Sequence, residues 1–212
     1  MSHACLKLHE WLAKLPRTRY PFDLNAIPRN GIYILFEDGE RAHGVDRIVR
    51  VGTHTGENKL CSRLEEHFVK QNKDRSIFRK NIGRALLRRA NDPFVRQWEI
   101  DLTSHEAKLA YRSRVDPVKL HAIEDQVSVY IQSHISVVAL SVETKDDRLL
   151  WEKRIIGTVS HCKECRPSTT WLGLHSPKLR IRKSGLWLVN ELNEAPMSEA
   201  DIENLKRIVA RS

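Results

Sequence analysis

Gly31-Ile32-Tyr33-Ile34-Leu35-Phe36 and, a little downstream, Arg47-Ile48-Val49-Arg50-Val51-Gly52 are the stretches whose reading decides the fold. The first is apolar and rich in strand formers, and the turn-prone Glu37-Asp38-Gly39-Glu40 follows it. The second alternates like a strand and stops at a glycine, so the pair predicts a β-hairpin. Beyond the loop from Thr53 to Lys59, Leu60, Leu64 and Phe68 recur at helical spacing and put Arg63 and His67 together on another face of one helix. Strand, strand and helix thus aim a tyrosine, an arginine and a histidine at one place.

Working outward, Leu6, Leu8, Trp11, Leu12 and Leu15 form an amphipathic stretch that stops at Pro16, which predicts a short N-terminal helix. Thr18 to Asn30, with Pro21 and Pro28, reads as a linker into the first strand. From Ser76 onward, Ile77, Phe78, Ile82, Ala85 and Leu86 make an apolar stripe, while Lys80, Arg84 and Arg88 make a basic one. That pattern predicts a helix with one face for the core and one for phosphates. Ala122 to Ser133 reads as a further helix, and the β-branched run Ile135 to Val142 as a strand beside the hairpin. Asp146 to Ser160 returns to helix and carries Glu152, and Leu186 to Val189 reads as a late strand. Ser198-Glu199-Ala200-Asp201 resembles a capping box with Asp in place of Glu, and it opens a last helix. The expected architecture is an α/β domain with a small three-stranded antiparallel sheet flanked by helices. Residues 1–29 are a helix and linker, 30–190 the main domain, and 191–212 a C-terminal helix packed on the core.

A chain of 212 residues that is 41% hydrophobic and 30% charged suits one globular core with terminal additions. No apolar run approaches the ~18 residues a membrane span needs, and Met1-Ser2-His3-Ala4-Cys5 lacks the form of a signal peptide, so a cytoplasmic location is expected. The net charge of +9 is unevenly placed. Between Lys70 and Arg89 the basic residues face Asp74 as the only acid, and Lys178, Arg180, Arg182 and Lys183 form a second cluster. Such clustering is the footprint expected for a phosphate backbone, because each neutralised phosphate releases counterions. The plainer alternative is a solvated helix face.

The ordered set of Tyr33, Val51-Gly52, Arg63, His67 and the segment Leu149-Leu150-Trp151-Glu152-Lys153-Arg154-Ile155-Ile156 resembles the GIY-YIG endonuclease family. The resemblance implies a metal-dependent endonuclease acting on DNA. In that likeness Tyr33 matches the first motif's tyrosine, Val51-Gly52 the end of the second, Arg63 the arginine of the first helix, and His67 the position one turn later. Glu152 matches the glutamate that binds the catalytic Mg²⁺ or Mn²⁺. The chain departs from the pattern where Arg50 replaces the second tyrosine and Thr170 stands near the expected asparagine; Thr53 takes a place where some members have lysine. These departures keep open a second reading, a nucleic-acid-binding module that retained the fold but lost turnover.

Phosphodiester hydrolysis needs an activated water, neutralisation of charge on the phosphoryl oxygens, and help for the leaving oxygen. Tyr33 would be the base or would position the water; a free phenol has a pKa of about 10, and nearby cations favour its phenolate. Arg63 would clamp the phosphate with its planar guanidinium, and His67 would shuttle a proton or hydrogen-bond Tyr33. Lys80, Arg84, Arg88, Lys178, Arg180 and Arg182 are the expected nucleic-acid contacts. Cys162-Lys163-Glu164-Cys165 has zinc-knuckle spacing, with His161 and His175 close in sequence, but no second such pair exists, so reduced thiols are expected. Trp171 and Trp187 read as core residues over the sheet, with base stacking the alternative.

Overall fold

The computed structural model describes residues 3–211. The apolar run at Gly31 becomes the central strand of a four-stranded antiparallel sheet. Its strands are β1 (Thr18–Arg19), β2 (Gly31–Ala42), β3 (Val45–Gly52) and β4 (Ile135–Ser141), in the order β1-β4-β2-β3. The fourth strand comes from the segment expected to be linker. Thr18 and Arg19 pair with Val137 and Ser136 and so cover the edge that β4 would otherwise present to solvent.

The hairpin is longer than the sequence suggested. β2 runs through Glu37-Asp38-Gly39-Glu40 to Ala42, and the turn falls at His43-Gly44, with φ of 53° and 78°. Positive φ at both central residues is what a two-residue hairpin turn demands. The acidic stretch stays in the strand because its two glutamates are satisfied indoors. Glu37 accepts the Nε1–H groups of Trp171 (2.9 Å) and Trp187 (2.7 Å) and the hydroxyl of Tyr130, while Glu40 pairs with Arg47.

Nine helices lie among the described residues: α1 (His3–Leu12), α2 (Leu60–Phe68), α3 (Ile77–Arg89), α4 (Val95–Trp98), α5 (His105–Tyr111), α6 (Pro117–His134), α7 (Lys145–Ser160), α8 (Leu179–Ser184) and α9 (Glu199–Arg211). They sandwich the sheet. Ile32, Ile34 and Phe36 join α1, α7 and α9 in one core cluster, whereas Tyr33 and Leu35 join α2, α3 and α6 in the other. Burial on both faces explains why β2 reads as a continuous apolar run. Side-chain caps fix the helix starts: Ser76 accepts from Arg79 N–H, Asp116 precedes Pro117, and Thr144 accepts from Asp147 N–H. At α9 the expected box is present, with Ser198 N–H donating to Asp201 (2.8 Å) and Asp201 N–H donating to the Ser198 hydroxyl (3.1 Å).

Two further sequence expectations are corrected. Leu186 to Val189 forms no strand, although Trp187 N–H donates to Val49 O at 2.7 Å; the indole is drawn into the core beneath Glu37. The faces of α3 are also rotated from the expected ones. Ile77 is 45% exposed, while Lys80 and Arg84 are buried and paired with Asp74 and Glu99.

Gly31 sets the spacing between β2 and β4. A Cβ at this position would lie 2.1 Å from Leu140 O, a backbone atom. Gly31→Ala is therefore expected to cost about 1–3 kcal/mol as an overpacking change, which thermal unfolding would register as a loss of about 2–4 °C per kcal/mol for a chain of this size.

Candidate active site

Tyr33 points from β2 into the layer of α2 and α3 and is fully buried. It pairs across the hairpin with Gly52, and its hydroxyl occupies the space of the missing side chain: a Cβ on Gly52 would lie 2.1 Å from the Tyr33 oxygen. That close approach is the physical need for glycine at the end of β3. His67, on the last turn of α2, places Nε2 2.7 Å from the Tyr33 oxygen, and its Nδ1 lies 2.7 Å from the Ser76 hydroxyl. Ser76 is the cap of α3 and accepts Arg79 N–H at 3.3 Å, while Arg79 also donates to His67 O. Two guanidiniums complete the surroundings of the Tyr33 oxygen. Arg50 Nε donates to it at 3.4 Å and Arg63 faces it from α2.

His67 is held neutral. Burial first, and then the guanidiniums of Arg50, Arg63 and Arg79, push its pKa well below the ordinary histidine range. A neutral imidazole serves either state of its neighbours. With a phenol, the Tyr33 hydroxyl donates to Nε2 and Nδ1–H donates to Ser76. With a phenolate, Nε2–H donates to Tyr33 and the Ser76 hydroxyl donates to Nδ1.

Glu152 comes from α7, which packs on the opposite face of the sheet, and reaches the same strand end. Its carboxylate lies within electrostatic reach of Arg50 and Arg63. Burial raises its pKa, with Arg50 acting against that rise and Glu191 adding to it. A partly buried carboxylate is a hard-oxygen donor of the kind divalent cations take. Arg63 lines a 450 Å³ concavity with Thr53, His54, Thr55, Gly56, Lys59, Ser62 and Glu66, and donates to Glu66 at 2.7 Å.

The family model of the GIY-YIG domain matches residues 16–212. The chain belongs to this family. GIY-YIG domains are nuclease-type hydrolases, and nucleic acid is the substrate class that follows. No curated protein and no solved structure matches the chain. Among the described residues no helix is long and apolar enough to cross a membrane.

Within this GIY-YIG domain the structure brings Tyr33, Arg63 and His67 together with Glu152 in electrostatic reach, places Arg50 on Tyr33 as a neighbouring cation, and adds Ser76, which the sequence alone did not select. Arg50, which replaces the second motif tyrosine, touches Tyr33 and anchors Nη1 on Trp187 O at 2.5 Å. Ser76 stands behind His67; its place at a helix start was the signal available. Thr170 is exposed and bonded to Ser168 (3.2 Å), so it does not fill the asparagine position of the site. The basic stripe of α3 divides. Lys80 and Arg84 are buried and occupied by Asp74 and Glu99, whereas Arg88 is exposed and lines a 620 Å³ groove with Arg96 and Arg182. Lys178 and Arg180 are exposed on and beside α8.

The neutral His67 has a measurable consequence. Below its ordinary pKa of about 6.5 the unfolded chain takes up a proton that the folded one refuses, so this residue's share of stability is complete above that pH and falls as pH drops toward about 5. Thermal unfolding of His67→Gln between these pH values is expected to show a shallower acid loss than the parent; an identical slope would contradict the assignment.

Proposed function

We propose that this GIY-YIG domain is a metal-dependent endonuclease that hydrolyses phosphodiester bonds of DNA. The supporting observation is the meeting of Tyr33, Arg63, His67 and Glu152 at the end of β3, from β2, α2 and α7 on both sides of the sheet. In the reaction water adds to phosphorus, the bond to the leaving oxygen breaks, the water loses a proton, and the leaving oxygen gains one. The Tyr33 oxygen receives the water's proton, since charge on it meets Arg50, Arg63 and a His67 N–H. His67 orients that oxygen; a buried imidazole among three guanidiniums is a poor store for a second charge. Arg63 clamps the phosphate from the concavity it lines. Glu152 holds Mg²⁺ or Mn²⁺. A divalent ion there supplies charge neutralisation at the phosphoryl and leaving oxygens.

The groove of Arg88, Arg96 and Arg182, together with exposed Lys178 and Arg180, supports a path for the nucleic-acid backbone. A competing reading, a binding module without turnover, draws support from the complete burial of Tyr33 and from Arg50 at the second tyrosine position.

Nicking of supercoiled plasmid with Mg²⁺ or Mn²⁺, against a chelator control, separates the two. The endonuclease reading expects cation-dependent nicking, its loss in Glu152→Gln with binding retained, and a fall of about 10²-fold or more in Tyr33→Phe, as removal of a proton-transfer group costs. Parent protein that binds DNA but nicks with neither cation establishes the binding module. In the same protein, Arg88→Glu with Arg96→Glu should weaken affinity and reduce the slope of log affinity against log salt by about 0.9 for each phosphate no longer neutralised. An unchanged slope places the backbone elsewhere.

A further inference from the structure

Away from the Tyr33 site, a second constellation has formed that uses none of its residues. Cys5 and His9 lie one turn apart on α1, His43 occupies the turn between β2 and β3, and Cys162 and Cys165 follow the end of α7. Cys5, His9, Cys162 and Cys165 are between 0% and 6% exposed, and the His43 side chain is fully enclosed. The histidines adjacent in sequence do not take part: His161 and His175 are exposed, and His161 Nδ1 bonds Gly157 O instead.

Several of the donors lie close to the separations a tetrahedral ion imposes. Those of Cys5, His9, His43 and Cys165 are all within 4.8 Å of one another. Cys5 Sγ is 3.5 Å from Cys165 Sγ, and His43 Nε2 is 3.7 Å from Cys165 Sγ and 3.3 Å from Cys162 Sγ. His9 Nε2 is 3.9 Å from Cys165 Sγ. Bonds of about 2.3 Å to sulfur and about 2.0–2.1 Å to nitrogen require ligand edges of about 3.3–3.8 Å. A disulfide would instead bring the two sulfurs to about 2.05 Å.

The groups behind the two imidazoles differ. His9 Nδ1 donates to Cys5 O at 2.9 Å and lies 3.6 Å from Cys5 Sγ, while His9 Nε2 accepts Ile48 N–H at 3.4 Å; His43 Nδ1 stands 3.1 Å from Glu164 Oε2 without a hydrogen bond, and its Nε2 faces the centre. A carbonyl or carboxylate behind a histidine is the usual support for a metal-ligating ring. Mixed sulfur and nitrogen donors in a closed tetrahedron suit zinc and leave no position for a substrate.

We propose that this cluster binds one structural zinc ion through Cys5, His43 and Cys165, with His9 or Cys162 as the fourth ligand. The ion ties the N-terminal helix, the tip of the hairpin and the segment after α7 to one point.

The test is metal analysis of the whole protein purified without added metal or chelator, with its Tm read before and after a strong chelator. One zinc per chain, a fall in Tm on removal and recovery on adding zinc support the site. Cobalt substitution then counts thiolates by sulfur-to-metal charge transfer: three assign Cys162 as fourth ligand and two assign His9, while none or one overturns the proposal. Protein without stoichiometric zinc, with a Tm indifferent to chelator and to added zinc, overturns it as well. Cys165→Ser should lose the metal; because it could also misfold, the chelator experiment on the parent protein keeps the proposal falsifiable. Nicking assays play no part in these readouts, so the zinc site and the nuclease reading stand or fall separately.

Discussion

The first half of β2, residues 31–37, lies between β3 and β4 and is buried on both faces, and the rest of the molecule depends on that constraint. A strand so placed has no solvent side, so alternation assigns each residue to one of two helical layers. Ile32, Ile34 and Phe36 receive α1, α7 and α9; Tyr33 and Leu35 receive α2, α3 and α6. The close approach of strands then selects glycine twice, at Gly31 against Leu140 O and at Gly52 against the Tyr33 hydroxyl. The second of these puts a polar oxygen within the buried core, where it must be hydrogen-bonded. His67, Arg50 and Arg63 meet that need. The group that gives the family its tyrosine is thereby also the group around which α2 must dock.

Much of the basic surplus of the chain is spent inside the fold. Arg47 pairs with Glu40, Arg79 with Glu124, Lys73 and Lys80 with Asp74, and Arg84 with Glu99, and most of these groups are buried. Buried pairs of this kind contribute little net stability, because desolvation offsets most of the attraction, yet losing one partner is costly. Their value here is positional. Arg79 grips Glu124 on α6 while donating to His67 O, which holds α2 in place behind Tyr33. Arg47 reaches Gly185 O at 2.5 Å and ties the C-terminal segment to the hairpin. Glu37 does the same through Trp171 and Trp187. The arrangement makes the segment after α7 part of the same core that positions Tyr33 and Arg50.

The amino-acid sequence by itself determined the hairpin, the helix bearing Arg63 and His67, the helix bearing Glu152, the late strand β4 and the capped C-terminal helix. These are local matters of periodicity, capping and strand propensity. The order of Tyr33, Arg63, His67 and Glu152 along the chain was also legible, because each lies on an element its neighbours define. What only the tertiary structure decided were matters of pairing between distant residues. The hairpin turn moved from Asp38-Gly39 to His43-Gly44 because Glu37 and Glu40 found partners far along the chain, in Tyr130, Trp171 and Trp187 and in Ser168, as well as nearby in Arg47. Lys80 and Arg84 turned inward because Asp74 and Glu99 fold back over α3. Arg50 entered the site through the cross-strand geometry that aims it at Tyr33, and Cys5, His43 and Cys165 met because α1, the hairpin tip and the segment after α7 close on one another. Periodicity reports which face of an element is apolar; it carries no information about which buried charge or thiol will find its partner a hundred residues away.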